Sequence, residues 1–106
     1  MSASSIRVIV LSGELEIGRR DEIQKALALL DGDEAVLVDL ELATYADSTT
    51  LAALLRLRSE AIASGTRLAV VVTNRQLTRL MQYAGIGKAI ALYPTRADAL
   101  RALTPA

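Results

Sequence analysis

Cysteine, histidine, tryptophan and phenylalanine are all absent from this 106-residue chain, and three tyrosines are its only aromatic residues. Without cysteine there is no disulfide, no thiolate metal ligand and no thiol nucleophile. Without histidine the chain lacks the usual proton carrier at neutral pH, which excludes Ser-His-Asp and Cys-His catalysis and nearly all structural zinc sites. Carboxylate chemistry or a magnesium site is what remains, and the acidic residues are spread along the chain rather than paired.

Long apolar runs are also missing. No run approaches the ~20 residues that a membrane-spanning helix needs. Residues 1–5 contain no basic segment followed by an apolar stretch, which is the pattern of a secretory leader. We therefore expect a cytoplasmic protein with no membrane span.

An excess of basic residues is lacking too, because 12 basic and 12 acidic side chains give a net charge of zero. The two signs are nevertheless segregated, with 4 basic and 10 acidic groups in residues 1–50 and 8 and 2 in residues 51–106. A nucleic-acid platform needs a basic surface and usually stacking aromatic rings. We expect protein partners and no nucleic acid.

What the chain does have is hydrophobic material, 52% of its residues, which suffices for one domain with one core. β-branched apolar runs predict strands at 6–11, 35–40, 67–72 and 89–92. Helical spacing and capping residues predict helices over 19–30, 48–64, 75–84 and from 95 onward. This alternation predicts an α/β fold with a mostly parallel sheet of about four strands and four helices.

The apolar positions of each helix predict its buried face. The residues expected to face the sheet are Ile23, Leu27 and Leu30, then Leu51, Leu54, Leu55, Ala61 and Ile62, and finally Leu77, Leu80 and Met81. Residues 13–18 are expected to form a polar loop with two apolar anchors.

A parallel sheet gathers the segments that follow its strands at one edge, where open α/β folds place their sites. The candidate partner-binding residues at that edge are Glu14, Glu16, Asp47, Ser48, Thr49, Thr50, Asn74 and Arg75. Glu14 and Glu16 are equally compatible with a solvated loop that binds no partner. Asn74 is equally compatible with a helix cap.

The junction at Asp47 and Ser48 joins a strand-like run to the longest predicted helix. Asp47 is a favourable N-cap, and Ser48 would expose its hydroxyl beside the first-turn N–H groups. A phosphate there would meet the positive end of the helix dipole but would be repelled by Asp47. The pattern is compatible with a regulatory site whose charge is changed by phosphorylation. In an arbitrary protein the same pattern would indicate only the start of a helix.

Five segments together resemble those of STAS domains of the anti-sigma-factor antagonist family. They are 11–16 (LSGELE), 36–40, 45–49 (YADST), the Arg-bearing helix that ends at Gly65, and 80–86 (LMQYAGI). The resemblance covers about residues 6–103 and implies a single STAS domain over 1–106. The family's phosphorylated serine follows the aspartate directly, which implies that Ser48 is the acceptor, with Thr49 and Thr50 as alternatives.

The resemblance further implies partner switching. The unphosphorylated antagonist would bind a serine-kinase anti-sigma factor, phosphorylation would release it, and a PP2C-type phosphatase would reset it. The chain would then be no enzyme and would carry no cofactor, no metal and no catalytic residue, because nucleotide and magnesium belong to the kinase.

Two departures from the family pattern leave alternatives open. Thr50 replaces a usual glycine, which favours a STAS module that is not phosphorylated and serves in a larger complex, such as one for membrane transport. Only five residues precede the first strand, where the family has an extra strand, so an open sheet edge predicts pairing with another chain, such as a homodimer. A third interpretation is a response-regulator receiver domain or a small enzyme on a similar fold. Asp39, Thr73 and Pro94 resemble positions of a receiver domain, although Tyr93 stands where a receiver has lysine.

Overall fold

Strands and helices alternate along the chain, as the sequence predicts. The structure, a computed structural model, describes residues 5–105. In chain order the elements are β1 (Ile6–Val10), β2 (Gly13–Leu15), α1 (Arg20–Ala26), β3 (Ala35–Asp39), β4 (Ala43–Ala46), α2 (Ser48–Ser64), β5 (Arg67–Val71), α3 (Arg75–Tyr83), α4 (Ile86–Ala89), β6 (Ala91–Tyr93) and α5 (Arg96–Leu103), with a 3-10 turn at Ile17–Arg19.

The main sheet has four parallel strands in the order β1-β3-β5-β6. This confirms the predicted α/β fold with a four-stranded parallel sheet. Because all four strands run the same way, the segments that follow them lie at one edge of the sheet. In the part of the chain that the structure describes, β1 pairs only with β3 and is an edge strand.

Helices cover both faces of the sheet. The side chains of Val36, Val38 and Leu40 pack against buried residues of α1 to α4. Those of Ala35 and Leu37 pack against α5. Side chains alternate between the two faces of a strand, so all five residues of β3 are buried.

The segment predicted as a loop at 13–18 is instead partly a strand, and that prediction is wrong. Strands β2 and β4 form a second, two-stranded parallel sheet beyond the ends of β1 and β3. Gly13 has φ 76, a left-handed conformation that glycine adopts without steric cost. Leu15 is fully buried, as expected of an anchor, whereas Ile17 is 68% exposed.

Several predicted buried residues lie at the surface. Leu30 is exposed because α1 ends at Ala26, four residues earlier than predicted, and the Asp33 carboxylate accepts the N–H of Leu30 in the following turn. The other exposed residues in the predicted stripes are Leu55, Ile62 and Leu80. The core takes Ala53 and Leu57 of α2 instead.

Residues 5–105 form five α-helices rather than the four predicted. Gly85, at φ 80, follows the end of α3 and precedes the short α4, which the prediction missed and which moves the start of β6 to Ala91. The prediction of a missing or shortened extra strand ahead of β1 concerns residues 1–4, which lie outside the described residues.

Candidate functional site

The junction between β4 and α2 is fixed by hydrogen bonds of Asp47. Its carboxylate Oδ1 accepts the N–H of Thr49 at 3.0 Å, which makes Asp47 the N-cap of α2 as predicted. Its backbone N–H donates to the Leu15 carbonyl at 3.1 Å, and its own carbonyl accepts the N–H groups of Thr50 and Leu51. The first turn of α2 is thereby tied to β2.

The three hydroxyl residues after Asp47 have different surroundings. Ser48 is the first residue of α2 and is exposed, and Thr49 is partly buried. Thr50 is fully buried, and its hydroxyl donates to the Leu15 carbonyl at 3.2 Å. The β-branched side chain that replaces the family's glycine therefore points into the fold and leaves the surface beside Ser48 open.

Glu14 and Tyr45 lie side by side on the outer face of the two-stranded sheet, because β2 and β4 pair in a register that sets them opposite each other. Both side chains are exposed, Tyr45 by 50%. Glu16 follows β2 and is exposed as well. The start of α2 is held against β2, because Asp47 and Thr50 both donate to the Leu15 carbonyl.

Arg19 holds the segment that carries Glu14. Its Nη1 donates to the carbonyls of Ser12 at 2.7 Å and Glu14 at 3.0 Å, and its Nε and Nη2 bind the Glu22 carboxylate. The hydrogen bond from Arg19 lowers the pKa of the Glu22 carboxyl below its ordinary value. Neither Arg19 nor Tyr45 was predicted as a site residue. The sequence signal for strand β2 was the alternation of Glu14, Leu15 and Glu16, because alternating polar and apolar residues indicate a half-buried strand.

The structure places Asn74 and Arg75 at the start of α3. The Asn74 side chain accepts the N–H of Leu77 at 3.0 Å and caps the helix, which accounts for this residue without a partner. Arg75 is exposed and lines a cleft of about 550 Å³ together with Tyr93 and Pro94. A separate groove between α3 and β4 is lined by Thr44, Tyr45, Ala46, Gln76, Leu77 and Leu80.

Asp39 is buried and forms an ion pair with Arg96. The Asp39 carboxylate thereby engages the guanidinium of Arg96 at the start of α5. Within residues 5–105, no group of three or more acidic residues is placed to hold a metal ion. None of the helices in that range is long and apolar enough to cross a membrane.

The STAS family model described as "Mlab, STAS domain" matches residues 2–94. The comparison with curated proteins gives no match.

Solved structures share the fold. An anti-sigma factor antagonist from Mycobacterium paratuberculosis is 26% identical, with a TM-score of 0.85 over 97% of this chain and 89% of that one. A sulfate transporter family protein from Wolinella succinogenes is 16% identical, with a TM-score of 0.80 over 92% and 84%. The SulP transporter STAS domain from Vibrio cholerae is 17% identical, with a TM-score of 0.74 over 96% and 83%.

Proposed function

Because this chain belongs to the STAS domain family, we propose that it is an anti-sigma-factor antagonist that works by partner switching. In its unphosphorylated form it binds a serine-kinase anti-sigma factor. Phosphorylation of Ser48 releases that partner, and a PP2C-type phosphatase restores the binding form. The observation that carries the proposal is the exposed Ser48 at the start of α2, directly after its capping aspartate. The 26% identity to an anti-sigma factor antagonist supports it.

The hydrogen bonds at this helix start explain why phosphorylation would release a partner. The N–H of Thr49 is already taken by the Asp47 carboxylate, and those of Thr50 and Leu51 by the Asp47 carbonyl. A phosphate adds a charge of about −1.5 to −2, and it would have to displace Asp47 to reach these donors. The added charge therefore stays at the surface, beside Asp47 and close to the face that carries Glu14.

Ser48 is the preferred acceptor on geometric grounds. A kinase must reach the hydroxyl oxygen, and that of Ser48 belongs to an exposed residue. Thr50 would have to leave the core and break its bond to the Leu15 carbonyl first. Thr49 is intermediate in exposure and is the second choice.

The docking face that we propose consists of Glu14, Glu16, Tyr45 and the first turn of α2. The chain itself performs no chemistry in this scheme, since the kinase brings ATP and magnesium. It regulates transcription in the cytoplasm through its protein contacts.

The test is phosphorylation by the serine-kinase anti-sigma factors of the protein's own source. Intact-mass and site-mapping mass spectrometry after incubation with ATP should find one added phosphate on Ser48, and Ser48→Ala should lose it while still binding the kinase. Ser48→Asp should weaken binding. Normal labelling of Ser48→Ala would show that another residue is the acceptor.

The docking face has its own test. Glu14→Lys should weaken kinase binding, because Glu14 lies on the proposed face. Arg75→Glu tests the predicted role of Arg75 in binding separately, since Arg75 lines a different cleft by the ends of β5 and β6. Unchanged affinity of Glu14→Lys for a kinase that does phosphorylate Ser48 would remove β2 from the docking face.

A second candidate is a STAS module that is not phosphorylated and assembles into a larger complex. Two of the solved structures that share the fold, a sulfate transporter family protein and a SulP transporter STAS domain, favour it. Absence of phosphate on every hydroxyl, together with no binding to any of the kinases, would decide for this candidate. A pull-down for the assembly would then be the next experiment.

A further inference from the structure

Helix α2 carries more apolar side chains than the core accepts. Its buried residues are Thr50, Ala53, Leu54, Leu57 and Ala61. On the opposite side, the exposed residues Ala52, Leu55, Ser59 and Ile62 recur at intervals of three, four and three. Residues at this spacing lie on one face of a helix, so they form a continuous outer stripe, called the α2 stripe below.

The α2 stripe is exposed to a degree unusual for its residue types. Leu55 is 41% and Ile62 is 63% exposed, and neither belongs to the two core clusters. Scattered apolar residues at a surface need no explanation, but an ordered apolar row on one helix face has the pattern of a helix-packing seam. Alanine and serine between the larger residues would let a second helix approach closely.

Charged residues flank the α2 stripe in a self-complementary way. Arg56 and Glu60 are both exposed. Among residues 5–105 four ion pairs are formed, and neither residue takes part in one. The midpoint of Arg56 and Glu60 and the midpoint of Leu55 and Ile62 both fall at residues 58 to 59. One two-fold axis at that point would therefore satisfy both pairs.

We propose that the α2 stripe is the contact of a homodimer in which α2 packs antiparallel against α2 of a second copy. Leu55 then meets Ile62 of the second copy, twice by symmetry, while Ser59 lies near the axis. Arg56 faces Glu60 of the second copy, again twice. Such a contact is isologous, the commonest kind in homo-oligomers.

The contact is short, which predicts a reversible dimer. The α2 stripe from Ala52 to Ile62 spans about 15 Å along the helix, and a stable interface usually buries more than one helix face provides. Ser48 precedes the stripe and lies beyond the end of the opposing helix in this register. The dimer therefore leaves the proposed phosphorylation site free, and the inference does not depend on the proposed function.

Sedimentation equilibrium over a dilution series tests the dimer. The unmodified chain should show a monomer–dimer equilibrium, and Leu55→Glu should weaken it by about tenfold or more, because a charge would be buried in the contact. Leu42→Glu is the matched control, since Leu42 is 64% exposed outside α2 and its substitution should change nothing. A chain that is monomeric at every concentration, or a dimer that Leu55→Glu leaves unchanged, would overturn the proposal.

Charge reversal tests the register. Arg56→Glu alone and Glu60→Arg alone should both be monomeric, because each places like charges opposite each other twice. An equimolar mixture of the two variants should form a heterodimer, since every facing pair is then of opposite sign. Misfolding of the single variants cannot produce this recovery. Failure of the mixture to associate, when the unmodified chain dimerises, would overturn the antiparallel register.

Discussion

Two nitrogens of Arg96, Nε and Nη2, lie 2.7 Å from Oδ2 of Asp39, although 57 residues separate the two in the chain. The other carboxylate oxygen of Asp39 accepts the N–H of Glu41 at 2.9 Å. Asp39 ends β3 and Arg96 begins α5, so this pair joins α5 to the edge of the sheet that carries the candidate site. It also orients the turn that leads into β4.

Replacing Arg96 with alanine should leave the Asp39 carboxylate, which is 3% exposed, without its charged partner. We expect the free energy of unfolding to fall by about 1–3 kcal/mol, less than for a fully buried pair because the Arg96 side chain is 45% exposed. Urea unfolding at neutral pH measures this. Arg101→Ala is the control, since its pair with Asp98 is largely exposed and should contribute below about 1 kcal/mol.

The same pair predicts strong non-additivity. Asp39→Asn alone and Arg96→Ala alone should each destabilise the fold, and the double variant should be more stable than the sum of the two losses implies. Simple additivity in the urea series would show that the two side chains act independently of each other.

The buried hydroxyl of Thr50 gives a third prediction. Thr50→Val keeps the shape and removes the donor to the Leu15 carbonyl, which retains the N–H of Asp47. We expect a loss of about 1 kcal/mol in thermal or urea unfolding. Thr49→Val, at a partly exposed position, should change stability by less than about 0.5 kcal/mol. Equal stability of Thr50→Val and the unmodified chain would mean that this bond contributes nothing.

Helix starts and central strands were predictable because their causes are local. Asp47, Asn74 and Thr95 each cap a helix that begins at the next residue, and each side chain accepts a backbone N–H as its type suggests. The unbroken apolar run at 35–40 indicated a strand covered on both faces, and β3 is buried throughout.

The remaining features depend on contacts between distant parts of the chain. Strands β2 and β4 are three and four residues long, and their pairing continues beyond that of β1 with β3. Helical spacing marked Leu55 and Ile62 as apolar, but which apolar face of α2 meets the sheet is decided by α1 and α4 packing beside it. The partnership of Asp39 with Arg96 likewise has no local signal.

At the candidate site, sequence could identify Asp47 and Ser48 but not their surroundings. The adjacency of Glu14 and Tyr45 follows from the register of β2 with β4, which includes an irregularity after Gly13. The inward direction of Thr50 follows from its place in the first turn of α2, below the Leu15 carbonyl. Family patterns give residue identities at these positions, whereas the side-chain directions come from the fold.

The cap of α2 gives a fourth prediction, which distinguishes the effect of the capping hydrogen bond from that of the carboxylate charge. Asp47→Ala removes the acceptor of the Thr49 N–H and should cost about 1 kcal/mol in urea unfolding. Asp47→Asn keeps an acceptor and should be nearly neutral. If Asp47→Asn lost as much stability as Asp47→Ala, the carboxylate charge rather than the capping hydrogen bond would be responsible.

The ion pair of Arg7 and Asp33 makes the stability of the fold depend on pH in the acidic range. Arg7 donates from Nε and Nη2 to the Asp33 carboxylate, at 2.7 Å for the shortest contact, and its Nη2 also donates to the Ala28 carbonyl. The hydrogen bond from Arg7 is the main reason why the pKa of Asp33 lies below its ordinary value of 3.8. A carboxyl whose pKa is lowered by folding stabilises the fold above its unfolded-state pKa, and that stabilisation is lost as the pH falls through the folded-state value.

Arg7→Ala should therefore destabilise the chain most at neutral pH, and its stability curve should approach that of the unmodified chain below about pH 4. Urea unfolding at several pH values measures the convergence, and NMR titration should show the pKa of Asp33 rising in the variant. Any difference that persists in acid reports the bond to the Ala28 carbonyl and lost packing. Arg7→Lys keeps the positive charge but not the contact through two nitrogens. Its stability should therefore lie between that of Arg7→Ala and that of the unmodified chain. A constant difference across the whole pH range would show that the charge of Asp33 is not involved.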